Sequence, residues 1–200
     1  MTFRGEYTRK IFQIPAQKEP EIAMTDEQEE FRYKVVVCGE PAVGKTSLVK
    51  AFVEKSFRED YLPTIGVSIL IKHLTLDVDG ATASFTLSLW DIAGQQKFTQ
   101  MRPNYYYGAK GAFLVGDLTR PETFEKLVEW HADLRKYAEG DVPVVLLANK
   151  SDLERAVDSS VVEEIGAKVG AVDVFDTSAK LGDNVKRAFE TLTRRIHSSS

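Results

Sequence analysis

Very little in this chain of 200 residues suggests a secreted, metal-caged or membrane-spanning protein. It has one cysteine, Cys38, which excludes an internal disulfide framework. That cysteine ends an apolar run and reads as inert packing rather than catalysis. The three histidines, His73, His131 and His197, are scattered and match no metal-ligand spacing. No apolar run approaches the ~20 residues that span a bilayer. Residues 1–10 are polar and no apolar stretch follows, so there is no signal-peptide pattern. A net charge of −4 gives no bulk attraction to nucleic acid or anionic membrane. There are no repeats, and the only low-complexity tract is Ser198-Ser199-Ser200. These absences leave a soluble, reduced, intracellular protein of one ordinary domain, with 43% hydrophobic residues to fill its core.

Residues 1–32 lack the rhythm of the rest. Pro15 and Pro20 interrupt them, and residues 24–32 are mostly charged or polar. They read as an N-terminal extension, loosely ordered or docked on the domain. Residues 3–14 mix aromatic and basic side chains, which suits either a plain tail or a contact with a partner or membrane surface. From residue 33 onward strands and helices alternate. Strands are expected over 33–38, 68–78, 83–90, 112–115, 144–148 and 172–175, with a hairpin at Asp79-Gly80. Helices are expected over 47–53, 96–107, 121–138, 159–169 and 185–196. One hairpin followed by strand–helix alternation predicts an α/β three-layer sandwich. Its sheet has six strands, mostly parallel with one antiparallel, and helices cover both faces. The domain is expected over residues 33–197, with 198–200 as a short tail.

Gly39-Glu40-Pro41-Ala42-Val43-Gly44-Lys45-Thr46 fits the phosphate-loop pattern G-x-x-x-x-G-K-[ST] in full, between a strand and a helix. Such a loop aims backbone N–H groups inward, and the helix adds its unpaired donors and the positive end of its dipole. Lys45 then reaches the β- and γ-phosphates, and the Thr46 hydroxyl binds Mg²⁺. A phosphate loop alone leaves kinases, ATPases and GTPases open. Asn149-Lys150-Ser151-Asp152 follows a strand at the ligand-binding edge of the sheet. A carboxylate there accepts from guanine's ring N–H and exocyclic amine together, a pair that adenine lacks. Thr177-Ser178-Ala179-Lys180 follows the last strand and offers N–H groups to a guanine carbonyl. Asp91, at a strand end, suits Mg²⁺ held through water. Ala93-Gly94 lets backbone approach a γ-phosphate, and Gln95 can orient an attacking water. Thr64, in a loop, can add a hydroxyl to Mg²⁺ and an N–H to the γ-phosphate.

In this order the motifs resemble the small GTPases of the Ras superfamily over residues 33–196. Thr64-Ile65-Gly66-Val67, Trp90-Asp91, Tyr105-Tyr106 and Gly108-Ala109-Lys110-Gly111 are similar to the Rab family. The short interval from Lys45 to Thr64 leaves no room for the helical insertion of heterotrimeric α subunits. The resemblance implies a guanine-nucleotide switch that hydrolyses GTP slowly to GDP, with Gln95 catalytic. The implied nucleotide-binding set is Glu40, Pro41, Ala42, Val43, Gly44, Lys45, Thr46, Ser47, Phe57, Tyr61, Thr64, Gly94, Asn149, Lys150, Asp152, Ser178, Ala179 and Lys180. The implied Mg²⁺ set is Thr46, Thr64 and Asp91. Phe57 is expected against the guanine face, and residues 57–67 and 92–107 as the switch segments. The implied partners are effectors, an exchange factor and a GTPase-activating protein, on a cytoplasmic monomer that reaches membranes peripherally through partners.

Some residues depart from the family. Pro41 stands where Ras has Gly and Rab proteins often have Ser, and proline fixes φ and removes an N–H. A module that binds GTP or GDP with little hydrolysis is therefore the alternative, and an ATP-dependent enzyme is a third reading that Asp152 opposes. Ile92, Gln96 and Ile69 replace the family's usual Thr, Glu and Phe. The chain has no C-terminal cysteine for prenylation and no Gly after Met1 for myristoylation. Lys186, Arg187, Arg194 and Arg195 read as a solvated basic face of the last helix.

Overall fold

A computed structural model describes residues 30–56 and 62–199. The expected extension, apart from residues 30–32, lies outside the described residues, as do Phe57 and Tyr61. The six strands are β1 (Glu30–Cys38), β2 (Val67–Val78), β3 (Ala81–Ile92), β4 (Gly111–Asp117), β5 (Val144–Asn149) and β6 (Asp173–Thr177). They form one sheet in the order β2-β3-β1-β4-β5-β6. Only β2 runs antiparallel, paired with β3 around Asp79-Gly80. Both turn residues have positive φ, 54° and 81°, as a two-residue hairpin of matching twist requires.

Among the described residues five α-helices cover the sheet: α1 (Lys45–Glu54), α2 (Arg102–Tyr106), α3 (Glu122–Tyr137), α4 (Ser159–Lys168) and α5 (Val185–Ser198). The period-two alternation of β1 sorts its residues to two cores. Val35 and Val37 join Leu48, Phe52 and Phe189 on the α1–α5 side. Val36 and Cys38 join Phe124, Leu127, Trp130 and Ile165 on the α3–α4 side. Every residue of β4 and β5 is buried, as expected for strands covered on both faces. Phe189 closes the first core, with its ring 4.1 Å from that of Phe52 and 4.4 Å from that of Phe113. Among the described residues no helix is long and apolar enough to cross a membrane.

Most element bounds shift by one or two residues, and two elements differ more. β1 starts at Glu30, not residue 33, because Phe31 stacks on Phe85 (5.5 Å) and Glu30 accepts a hydrogen bond from Thr86. The single helix expected over 96–107 is instead a 3-10 helix, Gln96–Met101, followed by the short α2. Pro103 has no N–H to give to an upstream carbonyl, so the ladder breaks there. Arg102 N–H bonds Thr99 O instead, in the tighter i→i+3 pattern.

Candidate functional site

The phosphate-loop motif links β1 to α1 at the carboxyl edge of the sheet. Gly44 precedes α1 with φ 99° and carries no side chain to cap it, so first-turn N–H groups stay available to an anion. A Cβ on Gly44 would lie 2.2 Å from Asn149 Nδ2, so only glycine fits. Lys45 is almost wholly buried and curls back under the loop, donating to the carbonyls of Gly39 and Glu40 at 2.8 Å each. Burial pulls its pKa down to about 8, against the pull of Asp91 upward.

Three side-chain oxygens converge beside Lys45. Thr46 Oγ1 lies 2.9 Å from Thr64 Oγ1, and both donate to Asp91 Oδ2, Thr64 at 3.2 Å. Asp91 is fully buried at the end of β3, and its Oδ1 has no hydrogen-bond partner. Burial pushes its pKa up, while Thr46, Lys45 and Thr64 oppose that shift. An orphaned buried carboxylate oxygen beside two hydroxyls is a hard-oxygen set that fits Mg²⁺. Gln95, four residues after Asp91, is half-buried. It lines one cleft with Pro41, Lys45, Thr64 and Gly94. Gly94 approaches the phosphate loop so closely that a Cβ would lie 2.5 Å from Pro41 N.

The loops that follow β5 and β6 meet at Asn149, which is buried. Its Nδ2 donates to Val43 O at 2.8 Å, and its Oδ1 accepts from Thr177 Oγ1 and Ala179 N at 3.3 Å each. One amide thus ties the end of β5 to the loop before α1 and to the segment that closes β6. Ser178 Oγ donates to Asp152 Oδ1 at 2.6 Å and accepts from Leu181 N at 3.0 Å. Lys150 Nζ sits 2.6 Å from Asp117 Oδ2. The separate motifs are therefore one connected edge.

Some expected residues contribute differently from a side-chain contact. Val43 is buried in the α1–α5 core, so only its backbone faces the loop. The Glu40 carboxylate turns away and accepts from Trp130 Nε1 at 3.0 Å. Trp130 in turn carries the Arg102 guanidinium on its face at 3.5 Å, tying α2 to α3. Sequence reasoning missed Asp117, Arg120 and Trp130. Asp117 had a findable signal, because it ends β4 on the same edge as the recognised motifs. Trp130 is one turn among others in an amphipathic helix and had none.

Residues 34–198 match the Ras family. The chain is 40% identical to Ras-related protein Rab-2B of Dictyostelium discoideum, over 84% of this chain and 81% of that protein. It is 38% identical to human Ras-related protein Rab-32, over 87% and 79% of the two chains. It is 37% identical to Ras-related protein RABA4b of Arabidopsis thaliana, over 85% and 75%.

Proposed function

The chain belongs to the Ras family as a Rab-like small GTPase, and from that premise we propose a Mg²⁺-dependent guanine-nucleotide switch whose own hydrolysis is slow. The convergence of Thr46, Thr64 and Asp91 oxygens beside buried Lys45 carries this reading. Bound Mg²⁺ would supply positive charge to the phosphate oxygens, held by Thr46 and Thr64 directly and by Asp91 through water. Lys45 leaves its two carbonyls and adds its charge to the β- and γ-phosphates. Gln95 orients the attacking water, and Gly94 N–H and the loop N–H groups stabilise the charge that develops. Asp152, already aimed by Ser178, takes guanine's two donors, while the backbone of Ala179 and Lys180 meets its carbonyl. Effectors, an exchange factor and an activating protein complete the switch, which acts in the cytoplasm and reaches membranes through them. Competition of GDP against ADP tests the reading, followed by phosphate release. GDP should displace a labelled guanine nucleotide at least a hundredfold better than ADP, and turnover should stay below ~1 s⁻¹ without a partner. Equal competition by ADP, or faster turnover, would contradict it.

One observation favours the alternative of nucleotide holding with little hydrolysis. Pro41 is wedged between Gly94, just before Gln95, and an arginine that grips its carbonyl. Pro41→Gly should raise single-turnover hydrolysis about threefold, under 1 kcal/mol of barrier. Equal rates, with and without an activating protein, would dismiss a role for Pro41.

A further inference from the structure

Arg120 lies in the turn between β4 and α3, outside every recognised motif. Its position is over-determined. Its N–H bonds Asp117 O at 2.9 Å, its carbonyl accepts from Thr123 Oγ1 at 2.7 Å, and Pro121 follows. Its side chain spans two structures. Nε pairs with Asp117 Oδ2 at 3.0 Å, and Nη2 donates to the phosphate-loop carbonyl of Pro41 at 2.9 Å. Asp117 is fully buried and shares the same oxygen with Lys150 of the base-side loop. It also accepts from Thr119 N–H at 3.0 Å and Thr119 Oγ1 at 2.7 Å. Burial works against the ionised carboxylate, but Lys150, Thr119 and Arg120 outweigh it and hold its pKa below the usual range.

The grip on Pro41 has a geometric result. The peptide after Pro41 is planar and trans, because the chain has no cis bonds among the described residues. Fixing its carbonyl on Arg120 therefore aims the Ala42 N–H at the opposite side of the loop. Pro41 has no N–H of its own, so the preceding residue cannot stand in for this donor. We propose that Arg120 is a positioning residue for the nucleotide's terminal phosphates. It acts through the Pro41–Ala42 peptide and, through Asp117, shares a mount with the base-side Lys150. The proposal rests on the guanine-nucleotide reading above and deepens it.

The test measures GDP release and the affinities for GDP and GMP in the full chain. GMP keeps the base and the first phosphate but lacks the β-phosphate. Losing a charge-assisted hydrogen bond should speed GDP release from Arg120→Ala about tenfold. GMP affinity should change less than twofold. Arg120→Lys should recover part of the loss, because an ammonium cannot hold both partners in a fixed fork. Unchanged GDP release, or equal weakening of GDP and GMP, overturns the proposal. A fall in hydrolysis of preloaded GTP with unchanged GDP release overturns it too, since that would place the guanidinium on the reaction itself. If Arg120→Ala does not fold, Arg120→Lys decides: about threefold faster GDP release supports the proposal and no change refutes it. Wild type that fails to bind GDP would instead sink the guanine-nucleotide reading.

Discussion

Asn149→Ala should lower GDP affinity by more than a hundredfold and lower the melting temperature by roughly 6–12 °C. The amide clasps three segments at once: the phosphate loop at Val43 O, the end of β6 at Thr177 and the following loop at Ala179 N. All of this is buried, so water cannot replace the lost partner in place. A buried backbone group left unsatisfied costs about 1–3 kcal/mol, and here a carbonyl and an N–H both lose their bond. A total of roughly 3 kcal/mol corresponds to the melting shift for a domain of this size, and re-ordering the released loops on binding, at a similar cost, corresponds to about two orders of magnitude in affinity. Gly44 shows how tight the clasp is, because any side chain there would collide with the same Nδ2. Melting curves with and without GDP, together with a binding titration, measure both effects. Affinity within threefold of wild type would show that the loops hold their places without the clasp.

Asp91→Asn should abolish most of the Mg²⁺ dependence of GDP binding while leaving Mg²⁺-free binding within a few fold. Asp91 supplies the one formal negative charge in the Thr46, Thr64 and Asp91 oxygen set. The amide has nearly the same shape, so packing survives and only charge and one acceptor are lost. A unit charge near a cation at a partly screened site contributes about 3 kcal/mol or more, roughly a hundredfold in affinity. The Asp91 Oδ1 atom, buried and without a partner, is where the missing charge would be felt. GDP release measured in excess Mg²⁺ and again in a chelator gives the ratio. In wild type the chelator should accelerate release about a hundredfold, and in the variant by less than tenfold. The same ratio in both proteins would remove Asp91 from the cation site.

The strand–loop–helix at Gly39–Thr46 was legible because its signals are local. A glycine with φ near 99°, a lysine beside it and a helix start are fixed by eight adjacent residues. The strand periods were legible for a similar reason, since alternation in β1 and unbroken apolar runs in β4 and β5 each follow from burial on one or two faces. The helix after Gln95 was misjudged because apolar spacing cannot report that Pro103 shifts the hydrogen-bond pattern into a 3-10 turn.

By itself the sequence determined the order of strands and helices, the Gly39–Thr46 loop and the polar motifs that follow β5 and β6, because each depends on neighbours along the chain. Only the tertiary structure decided what holds those motifs in register. The Asn149 clasp spans 106 positions, the Trp130–Glu40 bond 90 and the Arg120–Pro41 bond 79. Such contacts leave no local period or spacing to read. They arise when parallel strands bring distant loops to one edge of a sheet, where polar groups drawn from water, Asn149 above all, must find partners.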